Sequence, residues 1–178
     1  MIGKQWGVRC LLAVAVLVLA GCGSSPAPRT DPGSTPSAHS NRDLCVRMTD
    51  FFHNTLGVPD AQVAELSQGT IDAAIGMTGS CYLNLQRRAP YVAWLTVRNM
   101  RKPDHTDPTG DRYQRLDGFG EDVWRTPDDS YLTRVGTWEG MLAIDDKIAT
   151  TSSVPLRMTD QKVQDTIQFL IAITREMQ

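Results

Sequence analysis

The strongest concentration of reactive side chains in this chain lies between Asp104 and Asp111, where His105 stands among Asp104, Asp107 and Asp111. An imidazole and carboxylates this close together are groups that ligate a divalent ion or relay a proton. The spacing does not fit the EF-hand. With Asp107 as the first position, Thr109 and Asp111 suit the third and fifth, but Arg112 stands where Gly is required and Gly118 where the bidentate Glu belongs. Asp, Thr, Pro and Gly are also the ordinary composition of an exposed loop, so no metal and no cofactor is expected. Adjacent acids recur at Glu121-Asp122, Asp128-Asp129 and Asp145-Asp146. Glycoside hydrolysis needs two carboxylates facing each other across a cleft, whereas neighbours on a strand point to opposite faces and neighbours in a turn point to water. These pairs therefore read as solvated turns. The chain has no Gly-x-Ser-x-Gly elbow, His-Glu-x-x-His helix or Gly-rich phosphate loop. No catalytic residue is assigned, and the one enzymatic reading runs through His105 and the 104–111 loop. Trp138 is the other candidate contact for a ligand or partner if exposed, because Thr137-Trp138-Glu139-Gly140 reads as a hairpin tip; burial by folding back on the sheet is the more expected outcome for a tryptophan there.

The four cysteines sort by position. Lys4 and Arg9 precede an uncharged run from Cys10 to Ala20, the basic and apolar regions of a secretory signal, short for a membrane span. The run closes on Leu19-Ala20-Gly21-Cys22, which resembles the lipobox of bacterial lipoproteins. That resemblance implies a thioether-linked diacylglyceryl group on Cys22, removal of residues 1–21, and attachment to the outer face of the cell membrane. Cys10 would leave with the signal. Cys45 and Cys81 then remain in an exported protein, where disulfides persist; two free thiols or a two-ligand metal site are the alternatives. Lys4 and Arg9 are lost without any acid, leaving 16 basic against 20 acidic residues, a formal charge of −4 in place of −2. So mildly acidic a chain has no electrostatic footprint for nucleic acid or anionic lipid. Membrane attachment must come from acyl chains, worth on the order of 0.8 kcal/mol per buried methylene.

Residues 22–41 hold the lipidation cysteine and a Pro/Ser-rich tether with no large apolar side chain, unable to offset its own ordering entropy. Residues 42–178 form a single domain. Leu44, Met48, Phe51, Phe52 and Leu56 make one helical stripe, with Asp43 as N-cap and Gly57 and Pro59 as the stop. A short helix is expected over Ala61 to Ser67, while residues 69–79 fit neither template. Tyr82 to Leu85 and Tyr91 to Val97 read as a hairpin, residues 101–111 as a long loop, and Tyr113–Leu116, Asp122–Thr126, Tyr131–Thr137 and Met141–Ile144 as further strands. A last helix, capped by Thr159 or Asp160, carries Val163, Ile167, Leu170, Ile171 and Thr174 on one face. The expected fold is α+β: an antiparallel meandering sheet with the N-terminal and C-terminal helices packed on one face, and one disulfide.

The lipobox, the tether, the helix around Asp43-Leu44-Cys45 and the strand Gly79-Ser80-Cys81-Tyr82 together resemble the small lipoproteins of actinobacteria (mycobacterial type) of unknown function. The strand pair from Val123-Trp124 to Leu132–Ile144 and the closing helix are also similar. The resemblance implies a Mog1/PsbP-like α+β sandwich, a scaffold used for binding more than for catalysis. The functional expectation is a non-enzymatic, membrane-anchored envelope lipoprotein that binds a partner protein or an envelope small molecule or lipid. An apolar pocket between sheet and helix would favour the small molecule, and an exposed patch near Trp138 the protein.

Overall fold

The computed structural model describes residues 39–178 other than 69, 86–89, 103–107, 109–112 and 150. Cys22, the expected signal and tether before His39, and His105 with Asp104, Asp107 and Asp111 lie outside the described residues. The chain divides after Pro32, and all described residues belong to the unit Gly33–Gln178.

The first helix, α1 (Asn41–Phe51), starts one residue before the expected domain boundary. Its N-cap is Ser40, not Asp43: Ser40 accepts from the Asp43 amide while the Asp43 carboxylate accepts from the Ser40 amide, a reciprocal capping box. Asn41 is buried, and its side chain donates to the Thr70 carbonyl and accepts from the Ser80 amide, each at 3.0 Å. Ile75 donates to the His39 carbonyl at 2.8 Å. Residues 39–41 are thus part of the folded layer, and they organise the segment 70–77 that periodicity left unassigned.

The apolar stripe of α1 runs on into a π-helical turn, Phe52–Leu56, which ends at Gly57 with φ 73°. A glycine suits this left-handed position because it has no Cβ to clash. Leu44, Met48, Phe51, Phe52 and Leu56 are all buried, as their spacing requires. The short helix expected over 61–67 is instead strand β1 (Ala61–Val63) followed by one turn, α2 (Glu65–Gln68). Three residues are too few for a helix to be stable by itself; pairing with the neighbouring strand gives their backbone groups partners.

Strands β2 (Thr78–Leu85) and β3 (Tyr91–Asn99) form the expected hairpin, and β4 (Gln114–Arg115), β5 (Asp122–Arg125), β6 (Tyr131–Val135) and β7 (Trp138–Ile144) follow. Among the described residues the sheet has seven strands, all antiparallel, in the order β1-β2-β3-β7-β6-β5-β4. It consists of two meanders. The chain leaves β3 for the far edge at β4, then works back until β7 pairs with β3. This puts the most apolar strands at the centre, with Val92, Ala93, Leu95, Val97, Leu142 and Ala143 all buried.

The β6–β7 turn is Gly136-Thr137, with φ 58° at Gly136, the positive first position that a two-residue type II′ hairpin uses. Trp138 is consequently not at a tip. It opens β7 opposite Val135 and Asn99 and is 4% exposed in the core, so it offers no surface to a partner. Shifting the turn by two residues from the expected Trp138–Gly140 allows the largest apolar side chain of the hairpin to be buried.

The last segment contains a short helix, α3 (Asp146–Ala149), and the long α4 (Asp160–Glu176), N-capped by Thr159. Both long helices lie on one sheet face. The registers place Gly79, Val97 and Gly140 in one row on that face. A Cβ on Gly79 would lie 2.9 Å from Leu44 Cδ1 of α1, and one on Gly140 would meet Thr174 and Leu170 of α4. The helices also touch each other: Phe51 stacks on Phe169 with centroids 4.3 Å apart, and Arg47 pairs with Glu176 at 2.9 Å. The Cys45–Cys81 disulfide, 2.08 Å between sulfurs, joins α1 to β2. The fold is therefore α+β with one disulfide, as the residue pattern predicts.

Candidate functional site

The sheet and α4 do not close completely on each other. At the end of the layer where β5, β7 and the start of β6 meet the first turn of α4, a cleft of about 370 Å³ remains. Its floor is apolar. Ile144 is the last residue of β7, Tyr131 the first of β6, and Val163 faces them from α4; Leu116, after β4, and Met158, before α4, complete the walls. These side chains belong to the margin of the core: Leu116, Ile144, Met158 and Val163 are each half-buried and packed against it.

The mouth is polar, with Arg125, Asp129, Asp146 and Asp160 around it. Local structure sets each one. The β5–β6 turn holds Asp129 in the left-handed region at φ 61°, which Asp tolerates better than most residues. Thr126 anchors that turn: its hydroxyl donates to Asp128 and accepts from the Ser130 amide at 3.0 Å, and the Asp129 amide donates to its carbonyl at 3.1 Å. The hydrogen bond from Thr126 holds the Asp128 carboxyl below the usual range, against the opposing effect of burial. Arg125 pairs with Asp129 at 2.8 Å. Asp146 and Asp160 sit in the first turns of α3 and α4, where the helix dipole favours a negative charge. Neither has an ion-pair partner among the described residues.

Tyr131 joins floor to mouth. It is 6% exposed, lines the cleft, and its hydroxyl makes no hydrogen bond among the described residues. Burial pushes its pKa up; nearby Arg125 works against that and Asp129 with it. The phenol therefore stays protonated, a donor available to whatever enters the cleft.

The opposite sheet face carries a second polar assembly. Trp124, 1% exposed, lies between the guanidiniums of Arg115 and Arg134, 5.9 and 5.2 Å from its ring centroid. Glu139, 8% exposed, accepts from Arg98 at 2.6 Å and from Arg134 at 3.0 Å. Of these, Glu139 and Arg134 are the most buried pair, and each gives the other the partner a buried ion needs. His53, half-buried at the end of the first helix, has Nε2 2.8 Å from the Ala61 carbonyl and ties that helix to β1.

Of the residues singled out from the sequence, the structure brings Cys45 and Cys81 together and buries Trp138; Cys22 and His105 lie outside the described residues. Among the described residues no three His, Cys, Asp or Glu side chains come together to hold a metal ion, and no helix is long and apolar enough to cross a membrane. The cleft escaped sequence reading, because its residues come from five places between Leu116 and Val163. The available signal was the acid pairs at 128–129 and 145–146, which read singly as turns. Comparison with protein-family models, with curated proteins and with solved structures gives no match to this chain.

Proposed function

We propose that this chain is a cell-envelope lipoprotein, of the small actinobacterial type its sequence resembles, anchored through acyl chains on Cys22 and using its folded domain to bind a small amphipathic molecule. The observation that carries the binding reading is the cleft between sheet and α4, with an apolar floor, a polar rim and a volume of about 370 Å³. Pockets for small molecules have this construction, and they begin at roughly this size. Anchor and cleft together suit a protein that holds or presents a molecule at the outer membrane surface.

Two experiments test the two halves of the reading. Cys22→Ala releases the protein from the membrane fraction or leaves an uncut precursor; a variant still membrane-held at mature size contradicts the anchor. Val163→Trp fills the cleft. Full-length protein taken from its own cells, extracted with organic solvent and analysed by mass spectrometry, yields a bound molecule from the unaltered chain. The variant yields about tenfold less, the effect of losing about 1.4 kcal/mol of contact. Equal recovery from both, with unchanged circular dichroism, rules out the cleft as the binding site.

A further inference from the structure

We infer that the cleft selects amphipathic cations: a molecule with an ammonium or comparable positive head at the mouth and an apolar tail over Leu116, Ile144 and Val163. This rests on the reading of the cleft as a binding site and adds the charge of what it holds.

The mouth presents three carboxylates, Asp129, Asp146 and Asp160, against one guanidinium, Arg125, and that guanidinium is engaged by Asp129 at 2.8 Å. The opposing consideration is the N-terminus of α4, since helix N-termini attract anions. Its weight is small by comparison. The macrodipole is equivalent to roughly half a positive charge, Thr159 already accepts from the Lys162 amide, and Asp160 occupies the same turn. A net of two negative charges less half a positive one leaves the mouth at roughly −1.5. Lys162 is not among the residues lining the cleft, and its ammonium donates to the Leu56 carbonyl at 2.7 Å. The second observation is independent of charge. The Tyr131 hydroxyl, on a side chain 6% exposed, has no hydrogen-bond partner among the described residues and borders the cleft. That hydroxyl is not among the buried side-chain atoms that lack a partner, so it reaches solvent in the cleft, a donor and acceptor open to a polar group beside the cationic head.

The test uses three probes with one tail, 4-phenylbutylamine, 4-phenylbutanol and 4-phenylbutyrate, added to the full chain in neutral-lipid nanodiscs, with empty nanodiscs as the blank. Binding is read by saturation-transfer NMR. The amine binds about tenfold more tightly than the alcohol, about threefold for each unpaired carboxylate, the scale of exposed ion pairs. The butyrate binds more weakly than the alcohol. Asp146→Asn with Asp160→Asn brings the amine down to the level of the alcohol, while Val163→Trp weakens both. If the alcohol or the butyrate binds as well as the amine, selectivity for cations is overturned and the cleft remains a binding site. If none of the three binds, or if amine binding survives Val163→Trp, both readings fail.

Discussion

Removing the bridge with Cys45→Ala and Cys81→Ala together lowers the unfolding free energy by about 4 kcal/mol. The bond closes a loop with a sequence separation of 36 residues, and in the chain-entropy model a loop of that length restrains the unfolded chain by about 4 kcal/mol. The loop contains the part of the fold least able to hold itself: the π-helical turn, the three-residue β1, and the irregular segment 70–77. Asn41 ties that segment to α1 and β2 through two hydrogen bonds, each worth only about 1 kcal/mol net. Domains are stable by roughly 5–15 kcal/mol in all, so the loss is a large share. Urea unfolding followed by circular dichroism measures it. A shift of less than about 1 kcal/mol would show that the unfolded chain gains little freedom when the link is removed.

Gly140→Ala is the second large effect, at about 3 kcal/mol, the upper part of the range for overpacking a filled core. An added Cβ would fall within the van der Waals sphere of Thr174 Oγ1 and 3.1 Å from Leu170 Cδ1. Neither neighbour can give easily. Thr174 is fully buried and its hydroxyl donates to the Leu170 carbonyl at 2.7 Å, while Leu170 is fully buried on the contact face of α4. Either α4 lifts from β6 and β7 or that hydrogen bond breaks. Thr174→Ala removes the clashing oxygen, so the Gly140→Ala/Thr174→Ala pair regains about half of the loss, and the double-mutant cycle reports the coupling. Gly76→Ala is the control, since a Cβ there meets nothing within 4 Å and the backbone is not left-handed; it leaves the unfolding free energy within about 0.5 kcal/mol of the unaltered chain. Gly140→Ala with a midpoint like that of Gly76→Ala would mean that α4 is not seated on Gly140.

Elements whose signal is local were legible. The stripes Leu44–Leu56 and Val163–Thr174 specify helices because a helical period repeats over several turns, and Tyr82–Leu85 with Tyr91–Val97 specifies a hairpin because both runs flank a turn signal. The N-cap was placed three residues too late, on Asp43 in place of Ser40. Ser40-x-x-Asp43 is a capping box in which Asp43 is the third helical residue, and its carboxylate reaches back to the residue that caps. Residues 61–67 failed for a different reason: three residues carry no period, and the neighbouring strand β2 decides their state.

Trp138 marks the boundary between the two kinds of information. Its sequence neighbours allow a tip or a strand, and the choice falls to the core, where the face shared by Val135, Trp138 and Leu142 meets α4. The cleft lies wholly on the far side of that boundary. Asp129 is placed by a left-handed turn, Asp146 and Asp160 by two helix starts, and Tyr131 and Ile144 by strand ends.

By itself the sequence determined two amphipathic helices, a run of antiparallel strands between them and a cysteine pair able to join the first helix to the first long strand. Each follows from covalent spacing and a short-range period. Tertiary structure alone decided that β7 returns to β3, that two glycines in one row seat two helices on one face, and that carboxylates far apart in the chain share the mouth of one apolar cleft. The physical reason is burial. The free energy gained by removing apolar surface from water depends on which faces meet, and that is a property of the folded sheet and helices rather than of any window of residues along the chain.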